Sequence, residues 1–464
     1  MKIRIPLLGA LLAPLLLFSQ NRIGTGTVAE LYRAECAVCH GDNLEGGLGG
    51  SLLGDLDYAS GDESIRQWIE EGNPDLGMPA FGNSLSDPEI RSLVIYIREM
   101  RQKDEREADS TGETSKEAGG HTFRVEERVS GLSIPWSIDF LPDGAFLITE
   151  RGGTLRIFRD GTLLPPVKGT PEVWAHGQGG LLEAALHPEY GENGWIYLGF
   201  SKSRNGEGST AVVRGRIEDN RWTDEEPIFE VPEAHLRSAR YHFGTRFVFK
   251  DGYLFFSIGD RGLQDSAQDP ASPNGKVHRI HDDGRIPEDN PFQSEAEAFP
   301  SIWTLGNRNI QGLDAHPRTG EIWASEHGPR GGDEINLIEK GLNYGWPVIT
   351  HGMNYNGTPI TEKTEKPGME QPALQWTPSI AVCGIDFYEG DMFPQWEANL
   401  FAGGLASEEL HRLVIEGDEV VRDEIILSGI GRIRDVATGP DGALYLVLNG
   451  PDEVVRLVPE EKND

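Results

Sequence analysis

The chain has 464 residues, with 42 Lys and Arg against 75 Asp and Glu, which gives a formal net charge of −33 at pH 7. This length exceeds what one hydrophobic core normally organises, so we expect two domains or one large closed architecture. The acidity disfavours nucleic-acid binding, which needs a basic surface, and adhesion to anionic lipid. Glycine accounts for 58 residues without a collagen-like period, which indicates many tight turns between short strands.

The N-terminus carries the pattern of a secretory signal. Lys2 and Arg4 precede an apolar run over residues 6–18, and a polar stretch follows. The run is shorter than the roughly 20 apolar residues that a membrane span requires, so we predict a signal peptide over residues 1–20 and a periplasmic protein. Because the run is not followed by a clear small-x-small cleavage site, an uncleaved N-terminal anchor stays open. No later run is long or apolar enough to cross a bilayer.

The first domain, predicted over residues 21–102, contains a C-x-x-C-H motif. Cys36 and Cys39 are close enough to bond covalently to the vinyl groups of one haem, with His40 under the iron. The alternatives are a redox dithiol and half of a zinc site. No Cys or second His occurs between His40 and His121 to complete a zinc site, and the βαβ context of a thioredoxin-like dithiol is missing.

The apolar periodicity predicts helices over residues 27–36 and 87–103, with a Gly-Met-Pro-Ala-Phe loop at residues 77–81 between them. Residues 25–102 resemble a small class I cytochrome c, in which the Met of such a loop is the second axial ligand. The resemblance implies a covalently bound haem c with Met78 as that ligand. An axial Met raises the reduction potential of the iron, which suits an electron acceptor.

Residues 103–120 contain no apolar side chain larger than Ala. Such a segment cannot bury enough surface to offset its ordering entropy. We therefore predict a flexible linker over residues 103–120, with the second domain occupying residues 121–464.

A polar turn followed by a short apolar strand recurs six times in the second domain. The copies lie at residues 141–149, 193–197, 249–257, 319–323, 398–402 and 439–447. A recurrent unit that cannot bury both faces alone must pack against its neighbours, and closing the ring removes the free edges. We therefore predict a small all-α domain followed by an all-β six-bladed β-propeller. A β-sandwich with a chance recurrence is the alternative.

Polar, glycine-rich clusters lie in the long gaps between these copies. They occupy residues 176–180, 241–246, 306–312, 325–336, 341–347 and 431–436. Arginine pairs with carboxylates bidentately, and glycine lets backbone carbonyls approach a ligand or metal. Loops of this composition, gathered on one face, indicate a site for a multiply anionic ligand.

These motifs, in their order along residues 132–458, resemble the soluble aldose sugar dehydrogenases that use pyrroloquinoline quinone (PQQ). That family is a six-bladed propeller with PQQ and calcium in a central pocket, and the resemblance implies a sugar substrate. It implies that His242 is the general base and that Gln178 contacts the cofactor or substrate. Arg308 and Asn309 would bind the reactive quinone oxygen. A histidine has a pKa suited to removing a hydroxyl proton near neutrality.

The resemblance implies further contacts to metal and cofactor. These are calcium ligands from the carbonyls of Gly328 and Pro329, further calcium at Asp333 and Glu334, contacts to the PQQ carboxylates from Arg432 and Arg434, and a pocket wall from Trp376. Calcium prefers oxygen ligands, which a Gly-Pro carbonyl pair supplies. Alternation along a strand would point both arginines to one face. Cys383 is predicted to be a buried free thiol.

One position departs from the family pattern. Relatives carry a Lys that touches PQQ after a small-x-Leu segment, and Ala406 stands at the matching position. One cationic contact is therefore missing, which leaves open weaker PQQ binding, a substitute residue, or a propeller that has lost its cofactor.

The leading hypothesis is an exported quinohaemoprotein in which a sugar gives a hydride to PQQ and electrons pass singly to haem c. A cytochrome or the respiratory chain would be the downstream acceptor. One alternative is a calcium-dependent lactonase on the same scaffold, since propellers host unrelated activities. Another is a non-catalytic binding propeller with a cytochrome relay.

Overall fold

The structure is a computed structural model that describes residues 27–53, 56, 61–73, 76–108 and 115–460. The predicted signal at residues 1–20 lies outside the described residues. The chain divides into two compact units, the first containing residues up to 94 with residues 356–358, and the second containing residues 95–355 and 359–464. Across the described ranges, no helix is both long enough and apolar enough to span a bilayer.

The described residues between 27 and 108 form four helices, which agrees with the predicted all-α domain. Their bounds are Val28–Glu35 (α1), Ala37–His40 (α2), Asp62–Glu71 (α3) and Asp87–Ala108 (α4). A capping box starts α1, because Thr27 Oγ1 accepts the Glu30 N–H at 3.3 Å and the Glu30 carboxylate accepts the Thr27 N–H at 2.7 Å. The predicted apolar stripe of α4, including Ile90, Leu93 and Ile97, is buried.

The segment predicted as a flexible linker, residues 103–120, has structure at both ends. Helix α4 continues to Ala108, and the strand Ser115–Ala118 (β1) pairs antiparallel with His121–Val129 (β2). Residues 109–114 lie outside the described part of the chain. Charged residues such as Lys, Arg and Glu are good helix formers, and strand pairing uses main-chain groups, so neither element needs large apolar side chains.

The second unit contains six antiparallel sheets, which confirms the six-bladed β-propeller. The first three blades are Pro135–Phe140 (β3), Phe146–Glu150 (β4), Thr154–Arg159 (β5) and Thr162–Leu163 (β6); Leu181–Leu186 (β7), Ile196–Arg204 (β8), Glu207–Glu218 (β9) and Arg221–Glu230 (β10); and Phe247–Lys250 (β11), Tyr253–Ile258 (β12) and Lys276–His281 (β13). The next two are Ile310–Ala315 (β14), Ile322–Glu326 (β15), Asp333–Ile338 (β16) and Leu374–Trp376 (β17); and Val382–Phe387 (β18), Leu400–Gly404 (β19), Glu409–Glu416 (β20) and Glu419–Ser428 (β21). Short helical pieces in the connections are Tyr190–Asn193 (α5) and the 3₁₀ turns Glu233–His235, Gln264–Ala267 and Pro394–Trp396.

The sixth blade joins the two ends of the propeller. It contains Arg432–Thr438 (β22), Leu444–Asn449 (β23) and Glu453–Pro459 (β24), and β2 from the start of the domain pairs with β24. This pairing closes the ring and leaves no open end between the first and last blades.

The recurrent turn of the sequence joins the first and second strands of every blade. Its glycines at 144, 252 and 442 have φ of 80°, 80° and 79°, the left-handed region that favours glycine. Because these turns share one face of the propeller, the starts of the first strands and the ends of the second strands meet at the opposite face. The polar clusters predicted from the sequence flank those starts and ends.

Arg246 ties the first strands together near the axis. Its guanidinium donates to Glu183 on β7 at 2.8 Å and to Asp435 on β22 at 2.9 Å. It also donates to the carbonyls of Gln311 at 2.6 Å and Arg434 at 3.0 Å. Burial opposes its charge, but Asp435 and Glu183 raise the pKa of Arg246, so it stays cationic. One buried cation therefore links blades two, three, four and six.

Apolar side chains fill the space between adjacent blades. A large cluster lies between blades five and six, and Leu446 on β23 is fully buried in it. We expect L446A to lower the free energy of unfolding by about 2–5 kcal/mol, because the lost methyl groups leave a cavity. Val421 lies exposed on the outer strand β21, and V421A should change that free energy by less than about 0.5 kcal/mol. Urea titrations followed by near-UV circular dichroism check both, and equal losses would contradict this assignment of the core.

Candidate functional site

His242 and Asp260 form a hydrogen-bonded pair on the face where the polar clusters meet. His242 precedes β11 and Asp260 follows β12, so the hairpin brings them together. His242 Nδ1 lies 2.6 Å from Asp260 Oδ1, and Asp260 is completely buried. Because an ionised carboxylate only accepts, this bond places the proton on Nδ1 and leaves Nε2 with a lone pair.

Asp260 is held on all sides. Its Oδ2 accepts the indole N–H of Trp346 at 2.8 Å, and its Oδ1 accepts the N–H of Gly262 at 2.8 Å. Burial opposes ionisation, but the hydrogen bond from His242 and the charge of Arg308 lower the pKa of Asp260. Burial and the charge of Arg308 also lower the pKa of His242, so its imidazole is neutral at pH 7 and can accept a proton.

Arg308 lies beside this pair and supports the following loop. Its Nη1 donates to the carbonyls of His327 and Gly328, each at 2.8 Å, and its guanidinium lies 5.2 Å from the ring centre of Trp346. The Gly328 carbonyl, predicted as a calcium ligand, is therefore a hydrogen-bond acceptor here. Pro329 is buried next to it.

Asp333 holds the main chain at Gly328. Its Oδ1 accepts the Gly328 N–H at 2.9 Å and the Ser379 hydroxyl at 2.6 Å, and its Oδ2 accepts the Val382 N–H at 2.9 Å. Burial raises the pKa of Asp333 to about 6. The structure thus places this predicted calcium residue as a support for the Gly328 loop.

Glu334 pairs across the sheet with Glu326. Glu326 is a buried residue of the cluster at residues 325–336, and the sequence analysis gave it no role. Burial raises the pKa of Glu326 to about 7, and burial with the charge of Glu326 raises the pKa of Glu334 to about 8. Within the described ranges, no three His, Cys, Asp or Glu side chains gather into a metal-binding cluster. Calcium at Asp333 and Glu334 stays a prediction.

Gln178 and Asn309 also converge on the His242 segment. Gln178 Oε1 accepts the main-chain N–H of His242 at 2.8 Å, and Asn309 Oδ1 accepts the N–H of Gly244 at 3.2 Å. Both side chains hold the loop that carries the histidine, so the structure brings together His242, Gln178, Arg308 and Asn309 as the sequence suggested.

Arg432 and Arg434 do not share one environment. A register shift between Ile433 and Asp435 interrupts strand alternation, which the sequence argument assumed to be regular. Arg434 is buried, with its guanidinium 3.9 Å from the ring centre of Trp136 and 3.4 Å from Cys383 Sγ, whereas Arg432 is exposed. Cys383 is a buried free thiol, as predicted.

His327 is a neutral imidazole near the guanidinium groups of Arg308 and Arg434. Burial, together with the charges of Arg434 and Arg308, holds the pKa of His327 well below its usual value. Its Nε2 and the Nε of Arg308 are buried without a hydrogen-bond partner among the described residues. The Nε–H of Arg308 is therefore a free donor, which fits a ligand that carries acceptor groups, such as PQQ, whereas the Nε2 of the neutral His327 can accept a hydrogen bond.

Trp376 lies on β17 with its indole N–H donating to Asp423 at 2.8 Å. Asp423 in turn contacts His411 Nδ1 at 2.6 Å, and Glu409 lies 3.4 Å from His411 Nε2. Despite burial, these two carboxylates raise the pKa of His411 to about 9. A buried ion cluster therefore supports Trp376, whose role as a pocket wall stays a prediction.

The haem-binding motif lies at α2. His40 Nδ1 donates to the Gly50 carbonyl at 2.8 Å, which leaves Nε2 for an iron. Burial and the charge of Glu35 raise the pKa of the Cys36 thiol to about 12, which disfavours the reactive thiolate of a redox dithiol. The main chain of Met78 pairs with Asn73 through two 2.9 Å hydrogen bonds. These residues fit a covalently attached haem.

Asp260 is the main residue that the sequence reasoning missed, whereas Trp346 lies in the predicted cluster at residues 341–347 but had no role assigned. Gly-Asp-Arg-Gly at 259–262 follows β12 directly. The same position in blade four, after β15, carries the His-Gly-Pro motif that was singled out. Comparing the ends of all second strands would have found Asp260.

We expect D423N to remove much of the stabilisation of His411. The pKa of His411 in the folded protein exceeds its unfolded value, so its contribution is complete below pH 6.5 and is lost as pH rises through about 9. At pH 6, the free energy of unfolding of D423N should be about 1–3 kcal/mol lower than that of the unsubstituted protein. Between pH 6.5 and 9, this free energy should fall less in D423N than in the unsubstituted protein. D418N, at an exposed turn, is the matched control. Urea unfolding across this pH range checks the result, and parallel pH curves for both variants would contradict it.

The propeller and the N-terminal domain each match a known family. Residues 132–456 match the family described as Glucose / Sorbosone dehydrogenase, and residues 25–97 match the family described as Cytochrome C oxidase, cbb3-type, subunit III. The aldose sugar dehydrogenase YliI of Escherichia coli (strain K12) is 44% identical over 349 residues, which cover 73% of this chain and 93% of that protein.

Two solved structures share the propeller. The soluble aldose sugar dehydrogenase (Asd) from Escherichia coli in the apo-form has a TM-score of 0.70 and 42% identity, covering 73% of this chain and 100% of that one. The PQQ-bound form of aldose sugar dehydrogenase from Streptomyces coelicolor has a TM-score of 0.60 and 26% identity, covering 73% and 98%. The chain therefore belongs to the Glucose / Sorbosone dehydrogenase family and carries a cytochrome c domain ahead of its propeller.

Proposed function

We propose that this protein is an exported, PQQ- and calcium-dependent aldose sugar dehydrogenase whose electrons leave through its own haem c. The propeller motifs, the family membership and the PQQ-bound relative support the oxidation chemistry. The charged N-terminus followed by an apolar run supports export to the periplasm. A periplasmic or membrane-bound electron acceptor would complete the reaction.

The observation that carries this proposal is the His242–Asp260 pair beside Arg308. His242 Nε2 would accept the proton of the sugar hydroxyl, and Asp260 would stabilise the resulting imidazolium at 2.6 Å. The guanidinium of Arg308, buried within the same site, would stabilise negative charge that develops next to the base. The Nδ1 bond to Asp260 leaves the acceptor nitrogen Nε2 on the opposite side of the ring from that carboxylate.

Arg308, Arg434 and His327 are the residues that would hold PQQ, with Arg432 at the rim. Bound PQQ would supply the two-electron acceptor, and haem c would carry electrons onward one at a time. The carbonyls of Gly328 and Pro329 would contribute to calcium. Since calcium takes 6–8 oxygen ligands, most of its ligands would come from the cofactor and water. Cys36, Cys39, His40 and Met78 would hold the haem.

The experiment uses the full haem-containing chain loaded with PQQ and CaCl₂ without oxygen. Addition of an aldose should reduce the haem, seen as a sharpened α-band. D260N should slow this reduction by about 100-fold or more, because the histidine loses its orienting carboxylate and the hydrogen bond that raises its pKa. D251N, on an exposed turn of the opposite face, should reduce haem at the normal rate.

Three outcomes would contradict the proposal. Haem that stays oxidised with every aldose of a broad panel would exclude sugar oxidation by this chain. Lactone hydrolysis without quinone would favour the lactonase alternative. Sugar binding without turnover, unchanged in H242A, would favour a non-catalytic propeller.

A further inference from the structure

We propose that Arg261 is the positioning residue for His242, holding the main chain on both sides of the histidine so that its imidazole stays aligned. This inference rests on the proposed function of His242 as the base. Asp260 holds the imidazole ring, and its neighbour Arg261 holds the backbone that carries the ring.

The His242 segment needs an external support. His242 has φ of 57°, in the left-handed region that a residue with a side chain rarely adopts because the conformation is strained. The segment lies between β10 and β11, outside regular structure. Such a conformation persists only where neighbouring groups fix it.

Arg261 supplies that support through three contacts. Its guanidinium donates to the carbonyl of Tyr241, the residue before His242, and to the carbonyl of Ala239 at 2.5 Å. It also stacks on the ring of Phe243, the residue after His242, with 3.5 Å between Cζ and the ring centre. A hydrogen bond of 3.1 Å to the carbonyl of Gly208 anchors the same guanidinium to β9.

The setting of Arg261 argues against a purely stabilising role. The residue is 1% exposed, and its hydrogen bonds go to main-chain carbonyls rather than to a carboxylate. Burial lowers the pKa of Arg261 to about 9, so keeping its charge inside the protein is costly. An uncharged side chain would avoid that cost but would lack the planar group that donates to three carbonyls while its face stacks on the ring.

Arg261 also acts on His242 through its charge. The groups that bear on the imidazole are Asp260 and Arg261 after β12, Arg308 before β14 and His327 after β15. Arg308 and Arg261 both lower the pKa of His242, while Asp260 raises it. Loss of Arg261 should therefore raise the pKa of His242 as well as loosen its backbone.

The test compares R261Q and R261K with R237Q in the full chain. Arg237 also donates to loop carbonyls, at Ala234 and Leu236, but it makes no hydrogen bond to residues 239–243 in the described structure. Hydrogen exchange of the peptide spanning residues 237–245 should be about 10-fold faster in R261Q and unchanged in R237Q. R261K keeps the charge without the planar fork, so its exchange should also rise.

Two further readouts separate positioning from general stability. The pKa of His242, followed by NMR of ¹³C-labelled histidine, should rise in R261Q. In R261K it should stay close to its value in the unsubstituted protein. In the PQQ-loaded enzyme, kcat for sugar oxidation should fall about 10- to 100-fold in R261Q, with KM changed less than about threefold. R261K serves in place of R261Q if the glutamine variant does not fold.

Normal exchange and normal kcat in both variants would overturn the assignment of Arg261. The exchange measurement needs no cofactor or sugar, so it stays informative if the unsubstituted protein oxidises no sugar. In that case faster exchange in the Arg261 variants would support the positioning role of Arg261, although the proposed function would fail. If the unsubstituted protein oxidises sugar and both Arg261 variants show its exchange rate and its kcat, the proposed function is supported and the positioning role of Arg261 is rejected.

Discussion

The hydrogen bond between Asp260 and His242 is the interaction on which the site depends, because it decides which imidazole nitrogen faces the ligand. That bond is available only because a hairpin of blade three places the start of one strand beside the end of the next. Asp260 is fixed in turn by Trp346 and by the main chain near Arg308, both from blade four or its flanking loop. The orientation of His242, the proposed base, is therefore set by the contact between two blades, and a change in their packing would alter it.

Buried charge near the axis imposes a second constraint. Arg246 is shared by Glu183 and Asp435, which come from different blades, so each carboxylate is compensated only when the ring is closed. Removing one member of such a cluster leaves the others uncompensated in a dry environment, which is costly. The same cluster supports the main chain of Arg434 at 3.0 Å. The ion cluster that closes the ring also positions a residue of the candidate cofactor site.

The fold was predictable because its signal is repetitive, whereas parts of the site depend on singular geometry. Six copies of one turn identified the propeller, since five of them carry a Gly and the sixth carries Ala398 in the same left-handed conformation. His242, Arg308 and Asn309 lie in polar, glycine-rich loops that the sequence singled out, and the family resemblance implied their individual roles. Asp260 was missed because a lone Asp after a strand resembles an ordinary turn residue. The different settings of Arg432 and Arg434 depend on a register shift that strand alternation does not reveal. The two structured ends of residues 103–120 depend on helix propensity in α4 and on main-chain pairing in β1, and the pattern of apolar residues reports neither.

The protein as a whole is negatively charged, whereas its candidate site carries buried arginines. Local geometry must therefore determine which ligand the site binds. A net charge of −33 repels an anionic cofactor, but at physiological salt this repulsion is largely screened beyond about 8–10 Å. Inside that distance, Arg308 and Arg434 lie beside two imidazoles whose pKa values they help to lower. Neutral imidazoles add no positive charge, so the attraction for an anion comes from the guanidinium groups alone. With Ala406 at the position where the resemblance implies a lysine, Arg308 and Arg434 are the candidate cationic contacts, and burial together with the charge of Arg308 keeps His242 neutral.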